Sequence, residues 1–264
     1  MKLTICAIFR REALYLREWI EFHLMMGFEH FYLFNHRSED HYLSVLQPYI
    51  DRGIVDLTDY PFAHPCQEQA YRECIARVRG RQEWMAVLDI DEFLWSPRYD
   101  TVSEAIEALP LPAAWGAICV SWMCFGGGGQ ADWSDAPVIE RFVWRPNVDL
   151  KWNRWMKCIL NIAVENEIQV IPGDGHNWNS ISGTFNENGA RIVGPTMDPT
   201  SQLLRINHYY TKSRREWEIR HPADEPNFGC FNRDEDRWVT VQNLDVEDRE
   251  IQRFLPKLKE RLAK

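Results

Sequence analysis

The alternation of strand-like and helix-like segments over the first 95 residues constrains the fold of this 264-residue chain more than any other feature. Strand patterns cover residues 2–9, 28–34, 54–57 and 84–88, and helix patterns cover residues 12–26, 41–50 and 66–79. This β-α-β-α-β-α-β order is typical of an α/β fold with a doubly wound, mostly parallel sheet. In such sheets ligands bind beyond the carboxyl ends of the strands, where polar clusters begin at Arg10, Asn35 and Asp89.

The second half of the sequence is less regular. It predicts helices over residues 102–109, 212–220 and 247–263, strands over residues 117–125, 138–144, 159–164 and 203–209, and a loop over residues 172–200. Gly126–Gly129 lacks the Lys-Ser/Thr end of a phosphate-binding loop, so we interpret these glycines as a movable flap. No repeat or linker is visible, and we expect one domain over residues 1–264, with halves at 1–95 and 96–264.

Composition excludes several classes of protein. With 39 acidic and 30 basic residues the formal charge is −9, which argues against a nucleic-acid binder. The seven cysteines include no C-x-x-C pair, which indicates buried thiols and a cytoplasmic protein. The apolar run over residues 1–9 is too short for a signal peptide, and no apolar segment is long enough to predict a membrane span.

An aspartate pair follows the strand pattern at residues 84–88. Asp89 and Asp91 lie two residues apart, and on an extended backbone such residues point the same way. Two carboxylates at a strand end form an oxygen-rich site that suits Mg²⁺ or Mn²⁺ when phosphate oxygens supply the other ligands. The alternative is an acidic turn with ordinary solvated carboxylates.

A set of motifs in chain order resembles glycosyltransferase family 92 and its bacterial, family 2-like relatives. The matching stretches are Ile5–Ile8, Glu12, Tyr15–His23, Gly27, Ser38–Asp40, Leu46–Ile50, Gln69–Tyr71, Trp84–Phe93, Trp122–Gly126, Glu140–Phe142, Lys157, His176, Ile206–Tyr209 and Lys212–Ser213. Together they cover roughly residues 3–215.

The resemblance implies a GT-A-like enzyme that depends on Mn²⁺ or Mg²⁺ at Asp89 and Asp91. Such an enzyme transfers a hexose from a nucleotide-sugar, here expected to be a UDP-sugar, and inverts the anomeric centre. Residues 1–95 would bind the nucleotide and residues 96–264 the acceptor. The expected acceptor is a glycan or lipid-linked saccharide, as in polysaccharide biosynthesis, and no nucleic acid is expected as a partner.

The resemblance also implies roles for single residues. His208 would be a third metal ligand, and Lys212 would bind the diphosphate. Donor-side candidates are Arg10, Asn35, Ser38, Gln69, Asp89 and Lys157, with His176 on the donor or acceptor side. An inverting reaction also needs a base, and the position after Gly126–Gly129, rather than the resemblance, makes Asp132 the first candidate and Asp135 the second. Each role has a structural alternative. These are a buried core histidine for His208, a polar turn for Asn35 and Ser38, helix packing for Gln69, and a solvated loop for Asp132 and Asp135.

Two other functions stay open at this point. One is another metal-dependent phosphate enzyme, either a nucleotidyltransferase or a phosphohydrolase, and the other is a non-catalytic carbohydrate-binding protein. The 12 tryptophans favour sugar binding only in part. We expect Trp19, Trp84, Trp115 and Trp144 in the core, and Trp95, Trp122, Trp133 and Trp178 near a sugar.

Overall fold

A computed structural model describes residues 2–61, 67–80, 84–110, 115–162, 169–170, 176, 178–221, 235–242 and 244–264. Its helices are α1 (Ala13–Met25), α2 (Tyr42–Asp51), α3 (Gln67–Val78), α4 (Val102–Glu107), α5 (Val138–Arg141), α6 (Arg214–Arg220), α7 (Glu235–Val241) and α8 (Leu255–Leu262). Short 3-10 helices span Lys151–Arg154 and Glu250–Phe254.

The strands are β1 (Leu3–Phe9), β2 (His30–Asn35), β3 (Val55–Asp59), β4 (Trp84–Val87), β5 (Glu92–Trp95), β6 (Ala117–Cys124), β7 (Trp144–Arg145), β8 (Met156–Asn161), β9 (Gln169–Val170), β10 (Trp178–Asn179), β11 (Thr184–Phe185), β12 (Arg205–His208) and β13 (Val246–Glu247). Nine of these form one sheet in the order β3-β2-β1-β4-β8-β6-β12-β5, with β11 beside β6. Only β8 and β5 run against the other described strands of this sheet. The predicted mostly parallel α/β sheet is confirmed.

Strand β1 shows why the sheet is covered on both faces. Its alternate residues beginning at Leu3 and ending at Phe9 pack with Trp19 and Ile20 of α1. Cys6 and Ile8 point the other way and belong to the core cluster that contains α3. Because both faces of the strand are buried, its sequence is a continuous apolar run, as expected for a central parallel strand.

The sheet brings the predicted polar clusters to one edge. Strands β1, β2, β4, β6 and β12 run in the same direction, so the residues that follow them lie on the same side. Strand β8 runs the opposite way, so it begins at that same edge, and its second residue, Lys157, lies there. The direction of the strands alone assembles Arg10, Asn35, Asp89, Lys157 and His208 along one rim.

The strand prediction over residues 138–144 is wrong, because Val138–Arg141 is the short helix α5. Pro137 precedes the helix, and the Glu18 carboxylate accepts hydrogen bonds from the backbone N–H groups of Val138 (2.7 Å) and Ile139 (3.3 Å). A carboxylate from a distant helix thus satisfies two N–H groups that a helix leaves unpaired. Trp144, which we expected in the core, is 38% exposed.

The glycine run has a packing role that the sequence interpretation missed. A side-chain carbon on Gly127 would lie 2.5 Å from the backbone oxygen of Lys212, and one on Gly126 would lie 2.7 Å from the backbone oxygen of Val241. Only glycine permits these two approaches between chain segments. The first half of the predicted flap is therefore packed against the end of α7 and the loop that carries Lys212.

Two further sequence predictions concern membrane-spanning segments and cysteine thiols. No helix in the described part of the chain is both long and apolar enough to cross a bilayer. Cys6, Cys74, Cys119, Cys124 and Cys158 are buried, reduced thiols, as expected. Cys66 and Cys230 lie outside the described residues.

A buried histidine makes the stability of the fold depend on pH. His23 accepts a hydrogen bond from the Leu94 N–H at Nε2 (3.2 Å), and its Nδ1 lies 2.8 Å from the carbonyl oxygen of Trp19. Burial lowers its pKa to about 3. The unfolded chain protonates this group below about pH 6.5 while the folded chain does not, so stability falls as pH falls from about 6.5 toward 3.

We expect this histidine to account for about 2 kcal/mol of lost stability between pH 7.5 and pH 5. Urea unfolding of the wild type and of His23→Gln at the two pH values measures the effect. The His23→Gln variant should lose that part of the pH dependence, whereas a matched His41→Gln variant at an exposed position should keep it. Equal pH dependence in all three proteins would contradict the prediction.

Candidate active site

The Asp89–Asp91 segment is a turn between β4 and β5. The Glu92 N–H donates to the carbonyl oxygen of Asp89 (3.1 Å), and the Asp89 N–H donates back to the Glu92 carboxylate (3.0 Å). The expected extended backbone at this pair is therefore wrong, and the two carboxylates have separate partners. The sequence could not show this, because Glu92 closes the turn through its side chain.

Asp89 is held by a buried lysine and a glutamine. Lys157 Nζ lies 2.9 Å from Asp89 Oδ2 and 3.9 Å from Glu92 Oε1, while Gln67 Nε2 donates to Asp89 Oδ1 (3.1 Å). Burial opposes the charge on Lys157, but Asp89 and Glu92 raise its pKa well above the ordinary value. Burial raises the pKa of Glu92 despite the nearby Lys157. The Asp89 side chain is 27% exposed, so this carboxylate can still reach a ligand.

Asp91 is buried and lies between an imidazole and a guanidinium. Its Oδ1 is 3.5 Å from His208 Nε2, and its Oδ2 is 2.5 Å from Arg220 Nη1. Arg220 Nε also lies 2.9 Å from Glu12 Oε1, so one guanidinium bridges two carboxylates. Burial alone would raise the pKa of Asp91, but Arg220 and His208 hold it well below the usual range. Asp91 is therefore ionised.

A second buried cation lies beside this group. Lys212 is 3% exposed, has a left-handed backbone (φ 50°) and places Nζ 4.2 Å from the ring centre of Tyr15. Burial lowers the pKa of Lys212, against the opposing effect of Glu12. Burial raises the pKa of Glu12, against Arg220 and Lys212. Two carboxylates and two cations thus lie together at the sheet edge.

A narrow cleft lies beside Asp89 and Arg220. Glu12, Gln67, Asp89 and Arg220 line it, and its free volume is about 20 Å³. This volume holds about one water-sized group.

The donor atoms at Asp91 suit a divalent cation in part. A carboxylate oxygen and an imidazole nitrogen are ligands that Mn²⁺ accepts, and the 3.5 Å gap between Asp91 Oδ1 and His208 Nε2 is too long for a strong hydrogen bond. Asp89 instead pairs with Lys157, and the described residues contain no group of three or more such side chains arranged around a metal position. Asp91 and His208 are thus the pair that fits, with Arg220 on the second oxygen.

The predicted donor-side residues at β1 and β2 hold two loops together. Asn35 donates to Asp59 Oδ1 (2.9 Å) and accepts from the Ser38 N–H (2.9 Å), and Ser38 accepts from the Arg11 N–H (2.9 Å). Arg10 is 9% exposed at the end of β1. The side chains of Asn35 and Ser38 therefore both have structural partners at the rim.

Helix α3 presents Gln67 rather than Gln69 to Asp89. Gln67 is buried and also donates to the Tyr71 hydroxyl (2.6 Å), whereas Gln69 is exposed. Gln67, Ala70, Tyr71 and Cys74 share the buried face of the helix, which turns Gln69 outward. The helical spacing places Gln67 on the same face as Tyr71, and that signal would have identified it.

The two candidate bases lie on an exposed segment. Asp132 and Asp135 are exposed, and no hydrogen bond or ion pair of the described residues joins either carboxylate to Asp89 or Asp91. Asp135 lines a pocket of about 230 Å³ together with Trp133 and Tyr15. Trp133 is 42% exposed. Because Lys212 lies over the Tyr15 ring, this pocket and the Asp91 site both border on one tyrosine.

Aromatic side chains surround His208. Its ring centre is 4.2 Å from that of Trp122, and His176 lies 5.1 Å from both Trp122 and Trp155. Of the tryptophans expected near a sugar, Trp122 lies beside this group, whereas Trp95 is fully buried and donates to Asn207 (3.1 Å). Trp178 is also buried, at 4% exposure.

Comparison with known proteins shows which family this sequence resembles. The family model described as Glycosyltransferase family 92 matches residues 2–124, a segment that contains Glu12, Asp89 and Asp91. The predicted resemblance to glycosyltransferase family 92 is confirmed. One similar protein is a glycosyltransferase family 92 protein of Ricinus communis, 29% identical over 107 residues that make up 40% of this chain and 19% of the relative.

Two further matches extend this comparison. Galactan beta-1,4-galactosyltransferase GALS3 of Arabidopsis thaliana is 28% identical over 147 residues, which are 49% of this chain and 28% of that protein. The chain thus spans about a fifth of the length of the family 92 relative and 28% of the length of the galactosyltransferase. S. aureus TarS 1-349 in complex with UDP-GlcNAc aligns with 99% of this chain and 72% of its own, at 11% identity and a TM-score of 0.45.

Proposed function

We propose that this chain is a glycosyltransferase that transfers a hexose from a UDP-sugar to a hydroxyl group of a glycan or lipid-linked saccharide. The observation that carries the proposal is the position of Asp91, which lies within the family 92 match and faces His208 and Arg220 at the carboxyl edge of the sheet. A sheet edge of this kind is where α/β proteins bind nucleotides.

The buried charges suit a reaction in which a diphosphate leaves. We propose that Asp91 and His208 hold Mn²⁺ or Mg²⁺, which supplies positive charge to the leaving diphosphate when bound. Lys212 and Arg220 provide positive charge beside that position. Asp89, partly exposed and paired with Lys157 at 2.9 Å, is suited to accept a hydrogen bond from a donor hydroxyl. His176 and Trp155 offer an aromatic wall for a sugar.

The acceptor side of the proposal rests on Asp132 and Asp135. An inverting transfer needs a base that removes the acceptor proton in line with the leaving group. Asp135 is the better placed of the two, because it lines the pocket with Trp133. Removing either carboxylate while the other stays would identify the base, since only one should be essential.

Nucleotide-sugar turnover tests the proposal directly. We expect the purified chain to release nucleoside diphosphate from a UDP-sugar with Mn²⁺ or Mg²⁺ present, and UDP-galactose is the first donor to test because two relatives are galactan galactosyltransferases. Release is measured by chromatography, and the anomeric configuration of the product by NMR. Pyrophosphate release would indicate a nucleotidyltransferase instead. Saccharide binding without any turnover of UDP-, GDP- or ADP-sugars would contradict the proposal.

A further inference from the structure

Arg220 occupies the position beside Asp91 where a divalent ion would also be attracted. Its Nη1 lies 2.5 Å from Asp91 Oδ2, and the guanidinium side chain is 15% exposed. Arg220 Nε also lies 2.9 Å from Glu12 Oε1, so the guanidinium contacts two carboxylates. The carboxylate of Asp91 therefore already has a cationic partner supplied by the chain.

Two cationic side chains already lie beside Asp91 without any bound ion. Arg220 pairs with Asp91 and Glu12, and Lys212 is buried next to them. A divalent ion added beside Asp91 would meet both cations in a buried setting, where like charges repel more strongly than in water. In this arrangement a divalent ion and the Arg220 contact with Asp91 oppose each other.

We propose that Arg220 is a resident counter-ion that a divalent cation must displace from Asp91, so that Arg220 sets how weakly the free protein binds the metal. This inference rests on the proposed function for the identity of the ion. It adds a residue that tunes metal affinity without being a metal ligand.

The geometry provides a way for the contact to break. Arg220 is the last residue of α6, and it uses Nη1 for Asp91 but Nε for Glu12. Arg220 Nε lies 2.9 Å from Glu12 Oε1, so breaking the contact with Asp91 does not require breaking this second ion pair. The guanidinium is therefore not left buried without a partner, which would otherwise be costly.

Mn²⁺ titration followed by electron paramagnetic resonance, without nucleotide, tests the inference. We expect Arg220→Gln to bind Mn²⁺ at least about tenfold more tightly than the wild type, since a neutral group replaces the competing charge. Arg220→Lys keeps the charge and should bind no more tightly than the wild type. Arg214→Gln is the matched control on the same helix, because Arg214 pairs with the exposed Glu218 at 2.9 Å, and it should not change the affinity.

Unchanged or weaker Mn²⁺ binding by a folded Arg220→Gln variant would overturn the inference. Should that variant fail to fold, Arg220→Met carries the same comparison with a side chain of similar length. The result is separate from the turnover assay, because Mn²⁺ binding is read without a donor. Tighter Mn²⁺ binding by Arg220→Gln, together with no turnover by the wild type, supports the inference and contradicts the proposed function. Turnover by the wild type, without tighter Mn²⁺ binding by Arg220→Gln, does the reverse.

Discussion

Replacing Asp91 with asparagine is expected to lower kcat/KM for nucleotide-sugar turnover by about a thousandfold, equivalent to about 4 kcal/mol of transition-state stabilisation. The substitution keeps the shape of the side chain but removes the negative charge that faces His208 and Arg220. A proposed metal ligand and the partner of a buried guanidinium are lost together. The expected loss lies mainly in kcat, because the charge matters most as the diphosphate leaves.

The control for this experiment is Asp198→Asn. Asp198 also pairs with an arginine, Arg154, at 2.6 Å, but its side chain is 88% exposed. The same chemical change there should leave kcat/KM within about twofold of the wild type, because exposed ion pairs contribute little. Wild-type turnover by Asp91→Asn, with the protein folded and monitored by circular dichroism, would exclude Asp91 from the reaction.

The first 95 residues were predictable because their signals are local. Apolar runs of strand length alternate with helical patterns, and the bounds of β1, α1, α2 and α3 agree with the predictions to within about two residues. The direction of the strands then determines which loops meet. Helix α5 was not predictable in this way, because the Glu18 carboxylate that caps it comes from about 120 positions earlier in the chain.

The candidate site was predictable only in part, for the same reason. Motifs identified Asp89, Asp91, His208 and Lys157 as residues at one edge of the sheet. The contacts among them depend on distant partners, and Arg220 reaches Asp91 across 129 positions without any local pattern to indicate it. Glu12 and Gln67 were likewise missed as members of the site. Glu12 directly precedes α1, and Gln67 is the first residue of α3.

Helix α6 connects the candidate site to the rest of the core through Glu216. This carboxylate accepts hydrogen bonds from the Tyr15 hydroxyl (2.8 Å), Arg141 Nη1 (3.0 Å) and the Ser213 N–H (3.1 Å). Lys212 directly precedes the helix and Arg220 ends it. The position of both cations therefore depends on one buried carboxylate and its partners, and the stability of α6 is a condition for the charge arrangement at Asp91.

Arg141→Met is accordingly expected to lower the free energy of unfolding by about 3–5 kcal/mol, measured by urea unfolding at neutral pH. Arg141 and Glu216 are 4% and 1% exposed, and removing the arginine leaves a buried carboxylate without its main counter-ion. Arg214→Met is the matched control, because the Arg214–Glu218 pair lies on the same helix with side chains 37% and 42% exposed. That variant should cost less than about 1 kcal/mol. Similar losses in both variants would mean that the Glu216 network does not hold α6 in place.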